Sequence, residues 1–187
     1  ALVETVVEGL ESILSAEDGE TFGYSDVYLN GARESVRSEQ TNFGVLTAKS
    51  MIAATDTEVA IKNGGGIRSP IGEVVANPDG SYSFASTAAN ALSGKEAGQI
   101  SSLDIDNALR FNNSISTMTV TSEGLKEVLE HGVSAVAEGS TPGSFPQVAG
   151  LAFAYDPSLT PGSRIVDLAL VDDTGIVTQV LYKDGSQ

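Results

Sequence analysis

Apolar positions recur along the chain at two spacings. Leu2, Val6, Val7, Leu10 and Leu14 follow the 3.6-residue period of an amphipathic helix, with Glu4, Glu8 and Glu11 on the opposite side. The pattern predicts a helix over 2–15, ended by Asp18-Gly19. A strand is predicted over Phe22–Leu29, closed by Asn30-Gly31, and a polar connector holding Arg33 and Arg37 follows. Thr41 or Asn42 can cap a second helix that shows Phe43, Leu46, Met51 and Ile52 on one face and runs to about Thr55. The short apolar run Val59–Ile61 reads as a buried strand, and Ile71–Val75 and Tyr82–Phe84 as short ones. Ser102 opens a short helix bearing Leu103, Ile105, Ala108 and Leu109, and Ile115–Val120 alternates as a strand does. Thr121-Ser122-Glu123 opens a helix with Leu125, Val128, Leu129 and Val133 on one face. Val148–Tyr155 reads as one strand, and Ile165–Val171 and Ile176–Tyr182 as a hairpin around Asp172-Asp173-Thr174-Gly175.

Helices and strands intermix, so the expected class is α+β (mixed α/β), a three-layer-like arrangement with a mixed sheet, roughly three helices and six strands. Residues 77–99, rich in Ser, Ala and Gly, read as a loop or hairpin insertion. With 187 residues the chain is long enough for one domain with a real core, and 1–187 is taken as one. Ala1 is not an initiator Met, and the last strand read from the pattern lies close to the end; the chain reads as a piece of a longer protein.

Charge narrows the partners. Ten Lys and Arg stand against 25 Asp and Glu, a net charge of −15. Such a surface repels nucleic-acid backbones and anionic membranes. No apolar run approaches the ~18 residues that a membrane span needs, so neither nucleic acid nor membrane insertion is expected. Cysteine is absent, which excludes disulfides and thiolate metal sites. The lone histidine, His131, sits near a predicted helix C-terminus and reads as a structural or capping residue. One histidine cannot supply the ligand cluster of a zinc or di-metal centre, and there is no nucleophile elbow or phosphate P-loop.

The stretch with the most chemistry is Asn63-Gly64-Gly65-Gly66-Ile67-Arg68-Ser69-Pro70, directly after a predicted strand. Glycines let backbone approach a ligand closely or take φ > 0; Asn63 offers amide donors and an acceptor; Arg68 offers a planar charged fork. The same residues are also what a tight turn needs for its own geometry. Arg37 and Arg68 are scarce cations expected on loop rims. Phe111, ahead of two asparagines, either stacks on a planar ring or plugs the core beneath a turn. Asn113 either reads polar ring edges or forms the turn.

Taken together, Val36-Arg37-Ser38-Glu39-Gln40-Thr41-Asn42-Phe43-Gly44-Val45-Leu46, Val59–Arg68, Leu109-Arg110-Phe111-Asn112-Asn113, Leu125–Val133 and Phe145-Pro146-Gln147-Val148-Ala149-Gly150-Leu151 resemble the C-terminal, substrate-binding domain of the 5′-nucleotidase family, which includes secreted and periplasmic nucleotidases, UDP-sugar hydrolases and 2′,3′-cyclic-nucleotide phosphodiesterases. The resemblance runs in order from about residue 20 to 171.

It implies a nucleotide or nucleoside as ligand and an N-terminal metallophosphoesterase domain as partner. Two divalent metal ions are implied in that other domain and no cofactor in this chain. A secreted, periplasmic or cell-surface location follows. Carried over by motif, Arg37 and Arg68 meet the ribose or phosphate side, Asn63 and Gly65 face the nucleoside, Phe111 stacks on the base and Asn113 contacts its edge. Gln40 departs from the family's usual acid, and Arg110 from its usual proline. The family's second stacking aromatic lies in a segment beyond the end of this chain.

One base–aromatic stack contributes ~1–3 kcal/mol and each neutral hydrogen bond ~0.5–1.5, against an association cost of at least ~4. The expected affinity is no better than about millimolar. The longer protein is expected to be a hydrolase, and the chain alone is not. The other reading is a non-catalytic binding or spacer module of a large secreted surface protein, since fold alone does not fix function.

Overall fold

A computed structural model describes residues 2–184. In chain order the elements are α1 (Leu2–Gly19), β1 (Thr21–Tyr24), a one-turn 3-10 helix at Ser35–Arg37, α2 (Asn42–Thr55), β2 (Ala60–Asn63), a second 3-10 turn at Gly64–Gly66, β3 (Glu73–Ala76), β4 (Tyr82–Ala85), β5 (Gln99–Ser101), α3 (Ser102–Ala108), α4 (Ser122–Val133), β6 (Pro146–Ala149), β7 (Leu151–Tyr155), β8 (Ile165–Val171) and β9 (Val177–Lys183). The class is α+β, as the sequence pattern predicts. Among the described residues the strands form four small sheets, all with antiparallel neighbours, in place of one mixed sheet.

The chain divides into two compact units, one made of residues 1–31 and 68–111, the other of 32–67 and 112–187. In the first, β1 pairs with β5 and β3 with β4. Leu29 and Ile71 form an isolated bridge, with the Leu29 N–H donating to the Ile71 carbonyl at 2.9 Å. The strand expected over Phe22–Leu29 is therefore cut short after Tyr24. Ser101 caps α3 through a capping box with Asp104, which satisfies orphan N–H groups at both ends of the motif. The apolar positions of α1 follow the helical period, yet Leu2, Val6, Val7, Leu10 and Leu14 are exposed and only Asp18 is buried.

Asp18 anchors a polar cluster in this unit. Its carboxylate accepts from Lys95 Nζ at 2.9 Å, Ser101 Oγ at 2.8 Å, Asn90 Nδ2 at 2.7 Å and Ser93 Oγ at 3.0 Å. Lys95 also bonds Asp104 at 2.5 Å. Burial alone would raise the Asp18 carboxyl; the four donors outweigh it and bring it to about 2. Burial alone would lower Lys95; its two carboxylates outweigh that and move it above its ordinary value.

The second unit holds the larger apolar core. Leu125, Leu129 and Val133 of α4 pack with Phe145, Val148, Leu151, Ile165 and Leu168. Thr121 caps α4 and Thr41 caps α2, each accepting from a backbone N–H three residues on. Ala48, Ala60 and Ala149 form a smaller cluster where α2 lies on the β2–β6 ladder. The Val148–Tyr155 run is two strands. Gly150 sits between them at φ +74°, and a Cβ there would overlap the Glu58 carbonyl oxygen. Arg164 donates from Nη1 to the carbonyls of Val133, Ser134 and Val136, at 2.7, 3.0 and 2.9 Å, and so closes the chain that leaves α4. The run Ile115–Val120 alternates as a strand, but it is exposed and joins no sheet.

Candidate functional site

The Gly64–Gly66 turn is built against a loop of the same unit. The Gly64 N–H donates to the Phe145 carbonyl at 2.7 Å, and the Gly65 N–H to the Gly143 carbonyl at 2.9 Å. Asn63 Nδ2 donates to that same Gly143 carbonyl at 3.2 Å. A Cβ on Gly64 would overlap the Val36 carbonyl oxygen, and one on Gly65 would stand 2.8 Å from Gly143 Cα. None of the three glycines has a positive φ. Gly64 and Gly65 are needed for the close approach of two backbones, and Gly66 leaves room for the Lys62 and Asn63 side chains; none is needed for left-handed conformation.

Arg37 lies beside this turn. It ends its 3-10 helix only 8% exposed, so it is not on a solvent-facing rim. Nη1 donates to the Thr141 carbonyl at 3.0 Å and would lie 3.8 Å from a Cβ on Gly143. Arg37, Asn63 and Gly65 are thus brought together around the 141–143 loop.

Two glutamines hold that arrangement, and no local sequence motif assigns either a role. Gln147, 0% exposed on β6, donates from Nε2 to the carbonyls of Val36 at 2.9 Å and Glu39 at 2.6 Å, and accepts from the Thr41 N–H at 3.0 Å. It therefore fixes both the turn carrying Arg37 and the start of α2. Gln40 donates to the Pro146 carbonyl at 2.5 Å and accepts from the Val148 N–H at 2.9 Å. Its amide bonds β6 as a neighbouring strand would. An acid at position 40 could accept from Val148 but could not donate to Pro146, which gives this chain's departure from the family pattern a physical consequence. A glutamine inside an otherwise apolar strand is the only signal the sequence offers for such a clamp.

In the other unit Arg68 and Phe111 come together. The guanidinium carbon stands 5.5 Å from the ring centroid, a cation–π contact. The Arg68 N–H donates to the Ala108 carbonyl at 2.8 Å, which fixes the backbone beneath it. Phe111 is 54% exposed, so it is not a core plug. Asn112 follows at φ +48° and turns the chain; Asn113, beyond it, is exposed.

Two open concavities contain none of these six residues. One, of about 510 Å³, is lined by Ser69, Pro70, Lys95, Asp104, Asn107 and Arg110 among others. The other, of about 830 Å³, includes Glu127, Glu130, His131, Ser134 and Tyr182. Among the described residues no three His, Cys, Asp or Glu side chains are grouped to hold a metal ion. The donors among the described residues do not fit a catalytic di-metal centre. Among the described residues no helix is long and apolar enough to cross a membrane.

A profile of the 5′-nucleotidase C-terminal domain matches residues 21–183, and the chain belongs to that family. The trifunctional nucleotide phosphoesterase protein YfkN of Bacillus subtilis (strain 168) is 32% identical over 160 residues, covering 83% of this chain and 9% of that protein. Human 5′-nucleotidase is 31% identical over 156 residues, covering 78% and 23%. A snake venom 5′-nucleotidase of Macrovipera lebetinus is 31% identical over 169 residues, covering 85% and 35%. The crystal structure of the 5′-nucleotidase precursor from Thermus thermophilus superposes with a TM-score of 0.72 at 27% identity, over 97% of this chain and 31% of that one. The chain therefore spans no more than 35% of the length of these relatives.

Proposed function

We propose that the chain binds the nucleoside part of the substrate in a phosphoesterase that hydrolyses nucleotide phosphate esters outside the cytoplasm. In this reading the chain selects substrate, and the di-metal chemistry belongs to a metallophosphoesterase domain elsewhere in a longer protein. Family membership supports it, as do relatives named for nucleotide phosphoesterase activity, one of them a venom protein.

The observation that carries the reading is the Arg68–Phe111 pair. A phenyl ring more than half open to water, beside a guanidinium, is costly to expose and well suited to a planar base. Phe111 stacks on the base, and Arg68 takes the ribose or phosphate side. In the other unit Asn63 keeps Oδ1 for a ligand while Nδ2 holds Gly143, and Gly65 gives close backbone approach. Arg37 acts on ligand through the 141–143 loop that it supports. Asn113, exposed after the turn, contacts the base edge.

Titration of the isotope-labelled chain with adenosine, followed by amide NMR, tests this. The expected result is saturable shifts at residues 108–113 with an affinity near millimolar, lost in Phe111→Ala. Adenosine shifts that are the same in wild type and Phe111→Ala would remove Phe111 from the site. No shifts at all would favour a spacer module.

A further inference from the structure

Five of the ten Lys and Arg side chains are withdrawn wholly or partly from water: Arg37, Lys62, Lys95, Lys126 and Arg164. Four of them are held. Arg37 donates to a carbonyl, Lys95 lies between Asp18 and Asp104, Lys126 pairs with Glu130, and Arg164 donates to four carbonyls. Among the described residues the Lys62 side chain makes no hydrogen bond or ion pair. In a chain with 25 carboxylates this is unexpected, since an ammonium removed from water ordinarily finds one.

Its place in the fold gives the reason. Lys62 is on β2, opposite Gln147 and directly before Asn63. Its side chain turns back over the glycine turn. A Cβ on Gly66 would lie 3.3 Å from Lys62 Nζ, 3.6 Å from its Cε and 3.2 Å from Asn63 Oδ1. Gly66 is buried, and a cation and an amide oxygen lie together over its Cα. Asn63 Nδ2 is engaged with Gly143, so the end of that amide lying over Gly66 is the acceptor. Partial burial lowers the Lys62 pKa, the mark of an ammonium whose lost hydration nothing replaces.

We propose that Lys62 and Asn63, whose side chains both lie over Gly66, form an anion subsite that takes the phosphate of a phosphorylated sugar, with Lys62 Nζ on a phosphate oxygen and Asn63 Oδ1 accepting from a neighbouring hydroxyl. The sugar part rests on the nucleotide reading above; the ammonium–phosphate contact does not. A charge-assisted hydrogen bond here replaces hydration that the fold has already removed, so it discriminates strongly between charged and neutral ligands. The subsite selects a phosphorylated sugar over its unphosphorylated counterpart.

The test titrates the labelled 187-residue chain with inorganic phosphate, adenosine and 3′-AMP, in wild type, Lys62→Met and Lys62→Arg. Phosphate alone is expected to move the amides of Lys62, Asn63 and Gly66 in wild type and in Lys62→Arg, but not in Lys62→Met. For 3′-AMP the Met variant should bind about tenfold more weakly, and for adenosine within about twofold of wild type. Phosphate that leaves these amides unmoved, or equal 3′-AMP affinity in wild type and Lys62→Met, overturns the subsite. Phosphate binding that depends on Lys62, with no adenosine binding at all, sustains the subsite and defeats the nucleotide reading. If Lys62→Met does not fold, the Lys62 Nζ resonance of wild type decides: it shifts with phosphate if the subsite exists and stays still if it does not.

Discussion

Lys62 and Lys95 are both withdrawn from water, and burial works against charge in each, yet they depart from the ordinary lysine value in opposite directions. Lys95 is raised, because Asp18 and Asp104 more than compensate for its burial. Lys62 is lowered by its burial, because nothing compensates. The difference separates two uses of the same side chain. A lysine clasped by two carboxylates fastens α1 to α3 and the 90–95 loop and has no donor to spare. A lysine held desolvated without an anion stabilises nothing in the folded chain and is poised for an anion from outside.

Substitutions with opposite outcomes sharpen this contrast. Lys95→Met should be the most damaging, at about 3–5 kcal/mol, since it leaves two carboxylates facing one another without their cation; urea denaturation measures it. Gly64→Ala should cost about 3 kcal/mol, because a Cβ overlapping the Val36 carbonyl oxygen forces the two backbones apart. The same denaturation series should show it, with the 3′-AMP response at Gly66 lost as well.

The pH dependence of stability follows from Asp18. Its folded value of about 2 lies below the unfolded value of 3.8. The contribution, about 2 kcal/mol by linkage, is therefore fully present above pH 3.8 and is lost as pH falls from there toward 2. In Asp18→Asn the acid limb of the stability curve between those values should flatten. Lys95 carries the opposite sign: its raised value means that stability is lost as pH rises past 10.5 and through the folded value. Smallest of all is Lys62→Met, expected within about 1 kcal/mol of wild type and on the stabilising side, since it removes a desolvated charge without leaving a partner behind. A loss of several kcal/mol from Lys62→Met would show that the lysine is structural and break the comparison.

What the sequence reveals depends on how local the cause is. The helices are legible because period and cap lie within a few residues; Thr41 and Thr121 each announce a helix start, and the helix read as opening at Ser102 is capped one residue earlier by Ser101. Pairing is not local. Ile115–Val120 alternates like a strand and finds no ladder, whereas Val148–Tyr155 looks continuous and is broken by a Gly150 that Glu58 requires from far along the chain. The glycine turn is recognisable, but its physical cause is not. Close approach to Val36 and Gly143 and a positive φ call for the same residue, and only the folded chain tells them apart. Arg37 stands out as a scarce cation, though its burial does not. Lys62 gives no local sign, because a lysine beside a turn looks like any solvated lysine until its surroundings are known. Gln147 and Gln40 act across more than 100 residues, so no local pattern names their partners.

The proposed recognition of a nucleoside runs through the exposed ring of Phe111. Amide NMR titration of wild type and Phe111→Ala with adenosine tests it most directly. Saturable shifts around residues 108–113 are expected in wild type and are expected to disappear in the variant. Adenosine binding of equal strength in both would contradict it.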